Sequence, residues 1–201
     1  MNELDRGLSP ARRTLLTVLA GTFVYASVRY NVFGGVPWSQ LPLYVSNKAI
    51  SWTAVTLLAL AYLSRDRQLA SECGVLGLLL VIAHIFITPS IQSPAYYEKL
   101  YAGQHLTLAI EASLLAGVIA VIVLVFPGVA SIPGVHASIG EERWLRWLRA
   151  GYWALALTAL HCALQGWSGW FTPAKWPGYM PPITLIATLT ALAPIVAKLR
   201  R

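Results

Sequence analysis

The chain has 201 residues, of which 57% are hydrophobic and 11% charged, and its formal net charge is +7. A water-soluble domain carries about 25% charged residues, so this composition excludes a surface that mostly faces water. The basic excess sits in short loops and tails beside apolar runs, which points to membrane topology and anionic lipid head groups and away from nucleic acid. Cys73 and Cys162 both fall in apolar runs. They form neither a disulfide framework nor a metal site of known spacing, and read as packing residues.

Taken in chain order, six apolar runs emerge. Met1 to Arg13 is polar, with Arg6, Arg12 and Arg13 ahead of the first run. That run, 14–32, is too long and too aromatic for a cleaved leader and has no A-x-A-like cleavage pattern, so it reads as a retained first span. The remaining spans are expected near 49–63, 73–91, 105–125, 150–167 and 183–197. Proline and glycine mark the breaks, with Phe126-Pro127-Gly128 expected to stop span four. Residues 140–149 alternate charge with Trp144, Leu145, Trp147 and Leu148, the pattern of a short amphipathic helix lying on the membrane surface before span five. The aromatic residues of the other loops, including Trp38, Tyr44, Tyr96, Tyr97, Trp167 and Tyr179, read first as an interfacial belt and second as a docking surface.

Lys and Arg divide unevenly over these loops. Arg6, Arg12, Arg13, Arg65, Arg67, Arg143, Arg146, Arg149, Lys198, Arg200 and Arg201 fall on one side; Arg29, Lys48, Lys99 and Lys175 fall on the other. The richer side is cytoplasmic by the positive-inside rule. The expected fold is therefore all-α, a polytopic membrane helical bundle of about six transmembrane helices. It forms a single integral membrane domain over 1–201 with both termini cytoplasmic, placed in a bacterial inner membrane.

Ionisable side chains inside spans are costly and mark candidate sites. His84 lies 11 residues after Cys73, and His161 lies 11 residues after Ala150. At 1.5 Å per residue each is about 16 Å along its helix, so the two imidazoles stand at matching depth on spans running the same way. Two facing neutral imidazoles in an apolar bundle suit haem iron. The competing reading is that each bonds a neighbouring helix and binds nothing. His105, at the start of span four, is either an interfacial polar residue, a propionate partner or an alternative ligand. Glu111, about two turns in, is either a proton relay coupled to haem or quinol chemistry or a helix-to-helix hydrogen bond. His136 falls in a cytoplasmic loop.

The stretch Trp144-Leu-Arg-Trp-Leu148-Arg149-Ala-Gly-Tyr152, followed by Ala-Leu-His161, resembles the ferric reductase-like transmembrane family. Within that family, the stretch looks like the haem-binding membrane subunits of periplasmic methionine sulfoxide reductase systems. Trp144, Arg149, Tyr152 and His161 occupy the motif positions, and Gly74-Val-Leu-Gly-Leu to Ala83-His84 resembles the family's third span. The likeness covers roughly spans two to five. It implies a membrane b-type cytochrome with His84 and His161 as axial ligands and Arg149 at the cofactor. Leu148 stands where the family has its inner histidine, and leucine cannot bind iron. The resemblance thus implies one haem b near the outer face, not a two-haem wire.

No glycine-rich dinucleotide fingerprint is present, so electrons are expected from a quinol, a partner redox protein or another subunit of a larger membrane complex. The alternative is a cofactor-free structural or accessory subunit that keeps the fold; a small transporter or enzyme built on Glu111 and His105 is the third reading. The chain is expected to carry electrons, not to be a complete oxidoreductase.

Overall fold

A computed structural model describes residues 8–132 and 134–200. Arg6 and Arg201, used above, and the side chain of His136 lie outside that description. Among the described residues the chain is almost wholly helical: α1 (Pro10–Ser27), α2 (Ser46–Leu63), α3 (Arg67–Ile91), the short α4 (Pro94–Tyr97), α5 (Leu108–Ala130), the short α6 (Val135–Ile139), α7 (Glu141–Trp170) and α8 (Ile183–Leu199). The sheet content is a two-residue antiparallel hairpin of β1 (Tyr101–Ala102) and β2 (His105–Leu106).

Three segments are long and apolar enough to cross a membrane: Arg67–Ile91, Leu108–Ala130 and Pro177–Leu199. Their outward faces carry Leu79, Ile82, Phe86, Leu115, Val118, Ile122 and Leu189 exposed. An apolar exterior of this kind suits lipid and not water.

Local chemistry sets the helix ends. Ser9 caps α1 by accepting the Arg12 N–H, Pro10 takes the first helical position, and the Ser9 hydroxyl donates to Glu72 of α3 at 2.6 Å. Asp66 caps α3 by accepting the N–H groups of Gln68 and Leu69. Two widened π turns lengthen the first two long helices at their facing chain ends. Val28–Val32 continues α1, and Leu41–Val45 leads into α2.

Several expected boundaries move. Span four does not begin at His105, which lies in β2; α5 starts at Leu108. Nor does it stop at Phe126-Pro127-Gly128, because α5 runs through Pro127 to Ala130. One missing backbone donor is tolerated where neighbouring helices pack close by, and Gly128 lies against the Leu78 side chain. The surface helix expected over 140–149 is not separate from span five. Both belong to α7, 30 residues long, because no Pro interrupts the stretch and Gly151 accommodates the Tyr62 ring. Span two starts earlier than Ala49, so Asn47 and Lys48 are helical. Span three also starts earlier, at Arg67, while the last helix extends to Leu199.

The long helices pack in a ring in the order α3, α2, α8, α7, α5, with α1 laid outside against α2. The ring closes only loosely between α5 and α3. Small residues allow close approach: Gly77 of α3 meets Leu58 of α2, and Gly166 of α7 meets Thr184 of α8. One buried cluster, with Leu58, Leu124, Leu155 and Ala191, fills the ring's lower half. A second, aromatic cluster around Tyr44, Val45, Ile91 and Ile183 fills the end that bears the hairpin. Cys73 is buried beside Leu57 and Ala11, in keeping with a packing role.

Candidate functional site

The ring encloses a cavity of about 500 Å³ lined by side chains of α2, α3, α5, α7 and α8. That volume lies in the range of sites that bury small organic ligands. Ile85 of α3 and Val118 and Ile122 of α5 line the cavity and are also exposed on the outer surface. The cavity therefore opens sideways, through the loose seam between α3 and α5.

His84 and His161 both line this cavity. His84 is seven residues before the end of α3 and His161 nine before the end of α7, about 10 and 13 Å from those ends. Each ring is fixed through Nδ1. The His84 Nδ1–H donates to Asn47 Oδ1 at 2.9 Å, the Asn47 amide donates to Thr88 Oγ1 at 3.3 Å, and Thr88 donates to the His84 carbonyl at 2.7 Å. The His161 Nδ1–H donates to the Ser113 carbonyl at 2.8 Å, while the Ser113 hydroxyl donates to the His161 carbonyl at 2.9 Å. Gly117 makes room for that ring: a Cβ there would stand 2.9 Å from His161 Nδ1. Anchoring one nitrogen sets the tautomer and leaves Nε2 unprotonated, as a metal ligand requires. His84 Nε2 has no hydrogen-bond partner among the described residues, and the Gln165 amide lies 3.3 Å from His161 Nε2.

The other residues singled out from the sequence do not join them. His105 is exposed in the hairpin, Glu111 is exposed in the first turn of α5, and Arg149 is exposed on α7; none lines the cavity. The reasons are local. The Tyr101–Leu106 turn carries His105 off the helix, and the helix phase of α5 and α7 points the other two outward. Leu148 serves the fold instead, its carbonyl accepting the Tyr62 hydroxyl at 2.8 Å. The supporting residues Asn47, Lys48, Gln92, Ser113 and Gln165 were not singled out from the sequence. Their signal was polarity next to or within an apolar run, and it was masked at Asn47 and Lys48 by reading Ser46-Asn47-Lys48 as loop.

The hairpin end of the cavity is polar and basic. The Lys48 ammonium stands over three tyrosine rings, 5.2 Å from Tyr30, 4.6 Å from Tyr44 and 4.8 Å from Tyr97. Arg29 stands 5.4 Å over the same Tyr30 ring. Arg29 is only 6% exposed, and its Nε and Nη1 have no hydrogen-bond partner. The charge pattern of the sequence sets both cations on the outer side; the helical turns bury Arg29 and place Lys48 on the cavity wall. Burial pushes the neighbouring Tyr97 phenol above its usual range, so that ring stays neutral.

A haem fits these residues in kind: two anchored imidazoles in the wall of one cavity, a largely apolar lining, and a cation at one end for its acid groups. Among the described residues no group of three or more His, Cys, Asp or Glu side chains could hold a metal ion by itself. A porphyrin supplies its own equatorial donors and asks the protein for two. The chain matches no protein-family model, and no curated protein is significantly similar to it.

Proposed function

We propose that the chain is a six-span membrane subunit, both termini cytoplasmic, that carries electrons through one haem b held by His84 and His161. The observation that carries this reading is that the two histidines, 77 positions apart in sequence, line one cavity with both Nδ1 atoms anchored to protein acceptors. When bound, the haem supplies reversible one-electron chemistry whose potential follows its ligands and its burial. The protein's own part is to ligate, orient and keep the site dry. Asn47 and Ser113 hold the imidazoles, and the apolar lining of α2, α5 and α7 excludes water. The partners in this reading are the lipid bilayer, the quinone pool and a partner redox protein or larger membrane complex of a bacterial inner membrane.

The test is the absorption spectrum of the purified full chain. A reduced-minus-oxidised b-type spectrum is expected in the wild type and is lost in His84→Ala and in His161→Ala. Protein purified with both histidines intact, supplied with haem and still lacking the spectrum, overturns the reading.

A second reading is an accessory subunit without cofactor. It is favoured by the Gln165 amide, which stands 3.3 Å from the nitrogen of His161 that iron would need. In that case His161→Ala costs only stability, about 0.5–1.5 kcal/mol for the lost hydrogen bond to the Ser113 carbonyl, which keeps its own bond within α5.

A further inference from the structure

Two cations stand at the hairpin end, Lys48 on the cavity wall and Arg29 behind it, and among the described residues no acid lines the cavity. Lys48 lines the cavity and Arg29 shares the Tyr30 ring with it, yet neither has a carboxylate partner among the described residues. Gln92, also on the cavity wall, has a buried amide nitrogen with no hydrogen-bond acceptor. A buried cation is ordinarily paired, because removing one from water unpaired is costly. The tyrosine rings offset part of that cost through their faces. They do not accept the Arg29 N–H groups, nor relieve the repulsion between two cations on one ring. Two π turns, Val28–Val32 and Leu41–Val45, set Arg29, Tyr30 and Tyr44 in place. Such turns recur at functional sites. Away from that end and from the two histidines, much of the lining is apolar, with Leu58, Val81, Leu114, Val121, Leu124 and Leu155.

We infer that the hairpin end of the cavity is a carboxylate site, in which Lys48 and the Gln92 amide hold the acid group of an amphipathic ligand whose apolar body lies between the helices. Arg29 does not line the cavity and acts through its field on the same anion. The ligand's identity, though not the site, rests on the haem reading. There the carboxylates are the porphyrin's propionates; a fatty acid offers the same chemistry.

The experiment measures binding to the detergent-solubilised full chain of two acid and ester pairs: haemin with its dimethyl ester, and oleate with methyl oleate. The acid of at least one pair is expected to bind about tenfold or more tightly than its ester, the strength of a charge-assisted bond. Lys48→Met collapses that ratio, Lys48→Arg keeps most of it, and Arg29→Gln narrows it. Preference within the haemin pair assigns the site to propionates. Preference within the oleate pair alone keeps the carboxylate site and counts against haem. Equal binding of acid and ester in both pairs, no binding of any of the four, or an acid preference that survives Lys48→Met overturns the site. If Lys48→Met does not fold, Gln92→Leu decides: a narrowed ratio supports the site and an unchanged one overturns it.

Discussion

Asn47 is the side chain on which His84 depends, because its carbonyl oxygen holds Nδ1 and its amide reaches Thr88, which in turn bonds the His84 backbone. Partners of this kind set ligand orientation, and their loss lowers metal affinity by about 10–100-fold. Asn47→Leu is expected to weaken haem binding by about that factor while both histidines remain; a haem titration followed in the visible spectrum checks it. Gly117→Ala acts on the opposite wall. Its methyl group would press on His161 Nδ1, and that ring is held by Ser113 and cannot yield without losing a hydrogen bond. The expected result is a loss of affinity larger than that of Gly21→Ala, where a Cβ meets nothing within 4 Å. The two histidines were legible in the sequence because an imidazole in an apolar run has few neutral explanations. His105, Glu111 and Arg149 lie away from the cavity for reasons that a linear sequence hides: helix phase turns Glu111 and Arg149 outward, and the hairpin carries His105 off the helix.

At the scale of helices, α1 and α2 are joined by a polar contact inside an apolar interface. The Thr22 and Thr53 hydroxyls lie 2.7 Å apart, and both reach the Ala49 carbonyl. Interhelical bonds of this type contribute about 0.6 kcal/mol on average and up to about 1.7. Thr53→Val is expected to lower the melting temperature modestly and Thr22→Val,Thr53→Val to do little more, since the pair is lost once; a thermal melt in detergent measures both. Gly151→Ala should cost more. Its Cβ would collide with the Tyr62 hydroxyl, which donates to the Leu148 carbonyl, and overpacking typically costs about 1–3 kcal/mol. The centre of each helix was legible from hydropathy; the ends were not. Pro127 reads as a stop in isolation, yet packing carries α5 past it. Residues 140–149 read as a surface helix because their charges alternate, and only the three-dimensional chain shows them continuous with α7.

For the whole molecule, the proposed orientation is argued from where the cations lie. With Arg29 buried and Lys48 on the cavity wall, the exposed cations on the hairpin side are Lys99 and Lys175, an asymmetry that favours the proposal of both termini in the cytoplasm. In a chain with Cys73 and Cys162 replaced by Ala, Gln104→Cys is expected to react with an impermeant maleimide in intact cells. Ser138→Cys is expected to react only after permeabilisation. The reverse pattern would invert the topology. The aromatic residues, read together as a belt, divide in two. Trp38, Trp167 and Tyr179 are exposed. Tyr44 packs against two others, stacked on Tyr96 at 6.0 Å and edge-on to Tyr97 at 5.0 Å between centroids. Composition cannot separate those two groups, because an interfacial ring and a ring closing a buried end share one hydropathy.

The loose seam between α3 and α5 has a kinetic consequence. Ile85, Val118 and Ile122 form its lips, so in a bilayer this side of the cavity would open toward the acyl chains. A ligand using that route dissolves in the lipid first, and its loading rate tracks its mole fraction there. At fixed total ligand, doubling the lipid in a reconstituted vesicle should roughly halve the rate of loading, whereas doubling the volume of buffer should leave it almost unchanged.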